Sequence, residues 1–142
     1  MSVIYLGIGT NLGNRQKNLE LAVDLLEKRV GKCRKISSFY KSKPAGFDSE
    51  NDFLNAVLEI ETCLLPFALL HETQKIEREL GRTHKSANGI YHDRIIDIDI
   101  LLYDNEIIDT PELKIPHPHI AERDFVLTPL REIAPLFTAA HF

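Results

Sequence analysis

Two aspartates at alternate positions of an apolar segment are the residues whose type and spacing point most directly to chemistry. The segment DRIIDIDILLYD, residues 93–104, is rich in isoleucine and leucine and predicts a β-strand that carries Asp97 and Asp99. Because side chains alternate along a strand, the two carboxylates share one face. The opposite face is expected to carry Ile96, Ile98, Ile100 and Leu102. Carboxylates about 6–7 Å apart on a partly buried strand repel one another and resist desolvation, so their charge must be compensated.

Three arrangements would satisfy the acid pair. Both carboxylates can face water, they can form salt bridges with nearby arginines, or they can bind a divalent cation such as Mg²⁺, which prefers oxygen ligands. Basic side chains occur on both sides of the strand in sequence: Arg82, His84, Lys85, His92, Arg94, His117, His119 and Arg123. These cations alone are also typical of a solvated loop. Together with the carboxylates they suit Mg²⁺ bound to a polyphosphate, because every charge then has its opposite.

Three motifs of other nucleotide or metal sites do not fit this sequence. The segment GRTHKS, residues 81–86, has a histidine where a P-loop requires glycine before its lysine. The glycines of GIGTNLG, residues 7–13, are spaced too widely for a dinucleotide fingerprint, and no acid ends the next strand. The HPH segment, residues 117–119, lacks a third zinc ligand at a convincing spacing.

The elements that must position these residues follow a simple order. Period-2 apolar patterns predict strands over residues 2–9, 33–41, 53–61 and 95–102. One helix is predicted from Leu19, Ala22, Leu26 and Val30, ending at Gly31, and a second between Pro66 and Gly81. The order β-α-β-β-α-β predicts an α+β, ferredoxin-like sandwich with both helices on one sheet face and the other face free for binding.

The composition bounds the class of protein. The 142 residues suit a single domain, 1–142, whose proline-rich C-terminal extension, residues 110–135, is expected to form short elements on the outside. A net charge of −4 argues against a broad surface for nucleic acid or anionic membranes. No signal peptide or membrane span is apparent at the N-terminus, which predicts a cytoplasmic protein. Cys33 and Cys63 are expected to be buried free thiols.

Motifs spread along most of the chain resemble those of one enzyme family. They are LGIGTNLGNR, SSFYKSKPAG, FLNAVLEIET, TQKIERELGR, RIIDIDILLYDNEII and IPHPHIAERDFVLTPLREIAP. In this order they resemble the 6-hydroxymethyl-7,8-dihydropterin pyrophosphokinase family of the folate pathway. The resemblance implies transfer of pyrophosphate from ATP to the pterin hydroxymethyl group, with release of AMP. It also implies two Mg²⁺ ions and small-molecule partners only, in a monomer or a dimer.

The same resemblance assigns roles residue by residue. Asp97 and Asp99 match the ligands of both metal ions, and Arg82 and Arg94, on the phosphates, complete the catalytic set. Positions that contact ATP in the family correspond to Gln74, Glu77, Arg82, Arg94, Ile100, His117 and Arg123. Positions that contact the pterin correspond to Ser42, Pro44, Ala45, Gly46, Phe53, Asn55, Asp97 and Phe125. Within this set, Phe53 and Phe125 match the aromatic pair that sandwiches the ring.

The pattern of the third strand agrees with a flat polar ligand. Phe53 and Asn55 share a face opposite the core positions Leu54 and Ala56, so an aromatic plane and an amide point away from the core together. Loops 43–52 and 82–93 are expected to cover the bound substrates. Two alternatives remain at this point: a ligand-sensing module without chemistry, and another Mg²⁺-dependent kinase that forms ADP.

Overall fold

The computed structural model describes residues 1–43, 52–81 and 95–135. Within them lie β1 Ser2–Thr10, α1 Arg15–Arg29, β2 Gly31–Ile36, β3 Tyr40–Ser42, β4 Phe53–Thr62, α2 Pro66–Glu79, β5 Asp97–Tyr103, β6 Ile108–Asp109, β7 Lys114–Ile115, a 3-10 helix Ile120–Glu122 and α3 Asp124–Ile133. This mixture of helices and antiparallel strands makes an α+β domain.

The main sheet has the strand order β2-β4-β1-β5, with every described pairing antiparallel, and β3 also pairs with β4. The single strand predicted over 33–41 is therefore two strands, β2 and β3, which both pair with β4. Ser37 occupies the interruption: its backbone N–H donates to Val57 O at 2.9 Å and its Oγ accepts from Val57 N at 2.9 Å. These bonds hold the chain to β4 where the strand pairing is broken.

The first face of the sheet is an apolar core beneath α1 and α2. The predicted alternation of β4 is confirmed, because Leu54, Ala56, Leu58 and Ile60 all belong to this core. The predicted helical stripe of α1 is confirmed as well, with Leu19, Ala22 and Leu26 fully buried. Helix α2 begins at Pro66 and is followed by Gly81 at a φ of +111°, as its sequence predicts.

A β-bulge in β5 interrupts the alternation predicted for this strand. Ile100 pairs with Leu6 and Leu102 pairs with the adjacent Tyr5, so Leu101 is the extra residue. Ile98 and Ile100 pack in the core beneath the helices, whereas Leu101 and Leu102 both join the cluster on the second face. The prediction that Leu102 shares a face with Ile100 is therefore wrong.

Helix α3 covers part of the second sheet face. Val126, Leu130 and Ile133 lie one turn apart and pack with Val57 and Leu101 in a second core. The prediction that this whole face is free is wrong, because the tail supplies an amphipathic helix as its cover. Pro129 is buried inside this helix, although proline usually interrupts one. The part of the face where Gly9 of β1 and Asn55 of β4 lie is outside this second core, although both residues are buried.

Other features clarify the sequence predictions. The glycine-rich segment after β1 forms a turn, with Gly13 at a φ of +68° and Asn14 capping α1 by accepting from Lys17 N at 3.1 Å. Cys63 is exposed and Cys33 only half-buried, so the prediction of two buried thiols is wrong; Cys63 lies just beyond β4, in its connection to α2. In the described part of the chain, no helix is long and apolar enough to cross a membrane.

Candidate functional site

One row of residues crosses the second face of the sheet and joins the acid pair to the polar position of β4. Asp97 on β5 pairs with Gly9 on β1, Gly9 pairs with Asn55 on β4, and Asn55 pairs with Tyr40 on β3. Adjacent strands are about 4.8 Å apart, so the backbones of Asp97 and Asn55 are separated by about 10 Å. Only Gly9 lies between them, and a Cβ on it would be 3.0 Å from Asn55 Oδ1 and 3.5 Å from the Phe53 ring.

Asp97 and Asp99 both lie half-buried on this second face, as their alternation predicts. Across β1 they stand opposite Gly9 and Gly7. Two hard carboxylate ligands with access to solvent fit Mg²⁺, which usually keeps several waters and is completed by substrate phosphates. Among the described residues no group of three or more His, Cys, Asp and Glu side chains forms a closed metal cage. The donor set therefore fits an ion shared with a phosphorylated substrate.

The orientation of the Asn55 amide is set by two acceptors. Its Nδ2 donates to Tyr40 O at 3.0 Å and to the Ser42 Oγ at 2.8 Å, while the residue is 95% buried. Both N–H groups are used, so Nδ2 must lie on the β3 side and Oδ1 on the other. Oδ1 lies towards β1: a Cβ built on Gly9 would be 3.0 Å from it. Asn55 therefore presents an acceptor towards Gly9 of β1.

The aromatic residues predicted for the pterin lie on separate elements. Phe53 lies at the start of β4, two positions from Asn55, and is half-buried. Phe125 lies in the first turn of α3, half-buried against the second core. The Arg123 guanidinium lies 5.8 Å from the centre of the Phe125 ring, within range of a cation–π contact. Both phenylalanines thus belong to elements of the second face.

His117 is held at the outer side of β5 in its neutral form. Its backbone N–H donates to Leu101 O at 2.9 Å, and its Nδ1 accepts from the His119 N–H at 3.2 Å. The pKa of His117 is lowered to about 4, first by burial and then by the positive charges of Arg123 and His119, against an opposing effect of Asp97. Because Nδ1 is an acceptor in the neutral ring, Nε2 carries the proton and is a donor.

A cavity of about 260 Å³ lies beside β5, on the side away from β1. Its walls include Leu70, Ile98, Asp99, Ile100, Pro111, Glu112, Leu113, Lys114, His117 and Pro118. The structure thus brings together three of the predicted residues, Asp99, Ile100 and His117. The apolar side chains form walls suited to a flat heterocycle, and the Asp99 carboxylate and the His117 imidazole line the same cavity.

Glu77 lies beneath the strand that carries the acid pair. It is 94% buried on α2, and its Oε2 accepts from the backbone N–H of Ile98 at 2.8 Å. This bond fixes β5 between Asp97 and Asp99. Gln74 lies exposed on the same helix, one turn earlier.

Some predicted site residues lie outside the described part of the chain. They are Pro44, Ala45, Gly46, Arg82 and Arg94, together with most of the predicted loops 43–52 and 82–93.

The cavity also contains residues that the sequence did not suggest. Leu70, Leu113 and Lys114 come from α2 and from β7 with its preceding turn. Their sequence signal is weak, because β6 and β7 are two-residue strands without periodicity. Only the three-dimensional path of the tail shows that β7 returns to β5.

Comparison with known proteins gives one consistent result. Residues 5–135 match the family model described as 7,8-dihydro-6-hydroxymethylpterin-pyrophosphokinase (HPPK). The chain is 50% identical over 136 residues to a Porphyromonas gingivalis protein named 2-amino-4-hydroxy-6-hydroxymethyldihydropteridine pyrophosphokinase, with 95% of this chain and 92% of that protein covered. It is 45% identical over 135 residues to the Aquifex aeolicus protein of the same name, with coverage of 95% and 82%.

Solved structures share the fold. A crystal structure of Plasmodium falciparum HPPK-DHPS with pteroate has a TM-score of 0.80 at 16% identity, and the match covers 99% of this chain. This chain spans 42% of the length of that longer chain.

Proposed function

We propose that the reaction takes place along the row that Asp97, Gly9 and Asn55 form on the second sheet face. The chain belongs to the 7,8-dihydro-6-hydroxymethylpterin-pyrophosphokinase family and transfers pyrophosphate from ATP to 6-hydroxymethyl-7,8-dihydropterin in folate synthesis. The observation that carries this location is the register of Asp97, Gly9 and Asn55. It puts a phosphate-side carboxylate on β5 and a pterin-side amide on β4, the two strands that flank β1, with only Gly9 of β1 between them.

Asp97 and Asp99 are proposed as the ligands of two Mg²⁺ ions. Their shared face, half-burial and i, i+2 spacing support this assignment. When bound, the ions would neutralise the triphosphate and polarise the β-phosphoryl group. No group of three or more metal-ligating side chains is found among the described residues, so such ions would need phosphate and water oxygens to complete their shells.

The nucleotide is proposed to occupy the cavity beside β5. Ile98, Ile100 and Leu113 offer apolar surface for the base, and His117 offers its Nε2–H to an anionic oxygen. Arg123, Arg82 and Arg94 are proposed to bind the phosphates, the last two from outside the described residues. Gln74 and Glu77 remain proposed ATP contacts; for Glu77, its bond to Ile98 N supports a role in holding β5 as well.

The pterin is proposed to bind over β4, between Phe53 and Phe125. Asn55 Oδ1 would accept from a ring or exocyclic N–H, because its Nδ2 is already engaged by Tyr40 O and Ser42. Stacking of the ring between two phenylalanines would fix its plane. Ser42, with Pro44, Ala45 and Gly46 beyond the described residues, would complete the same side.

The chemistry proposed is an in-line displacement. The pterin hydroxyl oxygen forms a bond to the β-phosphorus and its proton is released to water, while the bond from that phosphorus to the α,β-bridging oxygen breaks and AMP leaves. The contribution of the chain is positioning: Asn55 and the phenylalanines hold the hydroxymethyl group, while the acid pair and the basic residues hold the triphosphate. No side chain is assigned as a general base.

The wider architecture supports two finer assignments. With β2 and β3 counted as one interrupted strand, the order β2-β4-β1-β5 is the one expected of a ferredoxin-like sheet, and we propose that classification. Residues 1–142 are proposed to act as one domain, in which the tail supplies α3 and part of the nucleotide cavity.

The decisive experiment is product analysis with ATP, Mg²⁺ and 6-hydroxymethyl-7,8-dihydropterin. AMP and a pyrophosphorylated pterin are expected in equal amounts. ADP would instead indicate a different phosphoryl transfer. Binding of the pterin without nucleotide turnover would indicate a sensing module and would contradict the proposal.

A further inference from the structure

A carboxylate at the far end of α3 is bonded to the chain between β2 and β3. Glu132 accepts from Ser38 N at 2.7 Å through Oε2 and from the Ser38 Oγ at 2.6 Å through Oε1. The Tyr40 hydroxyl lies 3.5 Å from Oε2, at the limit of a hydrogen bond. Next to it, Lys35 Nζ donates to Ile133 O at 3.2 Å. The last turn of α3 is thus tied to the corner that leads into β3.

These bonds are not needed to bury the helix. Val126, Leu130 and Ile133 already place the apolar side of α3 on the sheet, whereas Glu132 is exposed. Apolar packing is non-directional, while a carboxylate that accepts two hydrogen bonds from one residue fixes a position. The pKa of Glu132 is lowered, chiefly by the bond from the Ser38 side chain, so it accepts these bonds as an anion.

The corner held by Glu132 leads directly to the amide of the candidate site. Two residues beyond Ser38, Tyr40 begins β3, a strand of three residues that pairs with β4 in the described chain. Tyr40 O and the Ser42 Oγ are the two acceptors that orient Asn55. A shift of this corner would therefore move the acceptors and turn the amide.

The other end of the same helix carries Phe125. Glu132 and Phe125 are seven residues apart, which is two turns, so they lie on the same side of α3 about 10 Å apart along its axis. A helix of ten residues moves as a unit. The position of Glu132 against Ser38 therefore also sets the position of Phe125 over the sheet.

We propose that Glu132 is a positioning residue for the pterin half of the site, which fixes the spacing between Phe125 on α3 and Asn55 on β4. This inference rests on the proposed pterin site. Glu132 touches neither substrate and acts through Ser38, Tyr40 and α3. The nucleotide half, beside β5, is independent of this link.

The test is the substitution Glu132→Gln, which keeps the size of the side chain but removes its charge and one acceptor. The Kd of the pterin is measured in the presence of Mg²⁺ and an ATP analogue with a methylene group in place of the α,β-bridging oxygen. We expect the pterin Kd to rise about tenfold. The Kd of the analogue alone and the Tm should stay close to those of the wild type.

Two further variants sharpen the test. Ser38→Ala removes the shorter bond from the other side, so its effect and that of Glu132→Gln should not add in the double variant. Asp24→Asn is the matched control, because it neutralises an exposed carboxylate that pairs only with Lys28 on α1 in the described contacts, and it should leave both Kd values unchanged.

Each outcome decides the question. An unchanged pterin Kd in Glu132→Gln overturns the proposal, and so does an equal loss of affinity for both ligands together with a lower Tm, since that is a general structural defect. If the wild-type protein binds the analogue but not the pterin, the proposed pterin site fails, and this inference fails with it.

Discussion

The two faces of the central sheet are made by the same strands but differ in their roles, one in stability and the other in the candidate site. Beneath α1 and α2 the face is an apolar core, to which Leu58, Ile60 and Ile98 belong. On the opposite face, the same strands present Asn55, Asp97 and Asp99. Alternate residues of one strand point to opposite faces. Two adjacent substitutions can therefore affect different properties, one the stability of the core and the other the candidate site. The contrast predicts that substitutions of Asn55, Asp97 and Asp99 affect mainly activity, whereas substitutions of Leu58, Ile60 and Ile98 affect mainly stability.

The largest effect on activity is expected at the acid pair. Asp97→Asn and Asp99→Asn each remove a proposed metal ligand, and the rate of AMP formation should fall about 1,000-fold or more. The free energy of unfolding is measured alongside, so that a loss of turnover is separated from a loss of folding. Asp24→Asn serves as control on the exposed side of α1. Normal turnover in either variant would refute the metal assignment.

On the face beneath α1 and α2, a substitution should reduce stability and leave the activity of the folded protein unchanged. Leu58→Ala leaves a cavity in the core beneath the helices and should reduce the free energy of unfolding by about 2–5 kcal/mol, measured by urea denaturation. The kcat of the folded protein should stay near that of the wild type. Leu21→Ala is the matched control, because Leu21 is 42% exposed. A loss of kcat in Leu58→Ala without a loss of stability would break the separation of the two faces.

Gly9 and Gly7 of β1 lie in two different parts of the second face, Gly9 beside Asn55 and Gly7 beside Leu101. A Cβ on Gly9 would lie 3.0 Å from Asn55 Oδ1, whereas a Cβ on Gly7 would make ordinary contacts of 3.5 Å or more with Leu101. Gly9→Ala should displace the amide and raise the KM for the pterin by up to about tenfold. Gly7→Ala should change it little. Equal KM values in the two variants would show that Asn55 Oδ1 does not bind the pterin.

The smallest effect is expected from His117, as a dependence of the free energy of unfolding on pH. Because its pKa is lowered to about 4 on folding, from 6.5, the unfolded chain binds the proton more readily between these values. The stabilisation is complete above pH 6.5 and is lost as the pH falls towards 4. In the protein without nucleotide or metal, the free energy of unfolding should fall between pH 7 and pH 5 by about 1 kcal/mol more in the wild type than in His117→Gln. Identical losses would show that His117 is not held neutral.

The regular parts of this architecture were predictable from the sequence. The alternation of β4, the apolar stripe of α1 and the limits of α2 depend on local periodicity and on Pro66 and Gly81, so they could be recognised without the partners. The shared face of Asp97 and Asp99 follows from the same rule.

What could not be predicted depends on contacts distant in sequence. The bulge at Leu101 is a property of the pairing between β5 and β1, and the bonds from Ser37 to Val57 replace a strand pairing only because β4 lies beside them. Helix α3 was hidden by Pro129, whose cost in a helix is outweighed by burial against the sheet. Glu132 has no motif; its role is visible only when α3 and Ser38 are side by side.

The bond between Glu77 and β5 has a further consequence, for association. Two backbone groups on the outer edge of β5 are already used within the chain, since Ile98 N donates to Glu77 and Leu101 O accepts from His117. An added strand would find no continuous ladder of partners there. At the opposite edge, β2 presents Lys32, Arg34 and Lys35, charges that oppose pairing with another copy. A sheet in which both edges oppose the addition of a strand can lie next to other domains in one longer chain without exchanging strands with them.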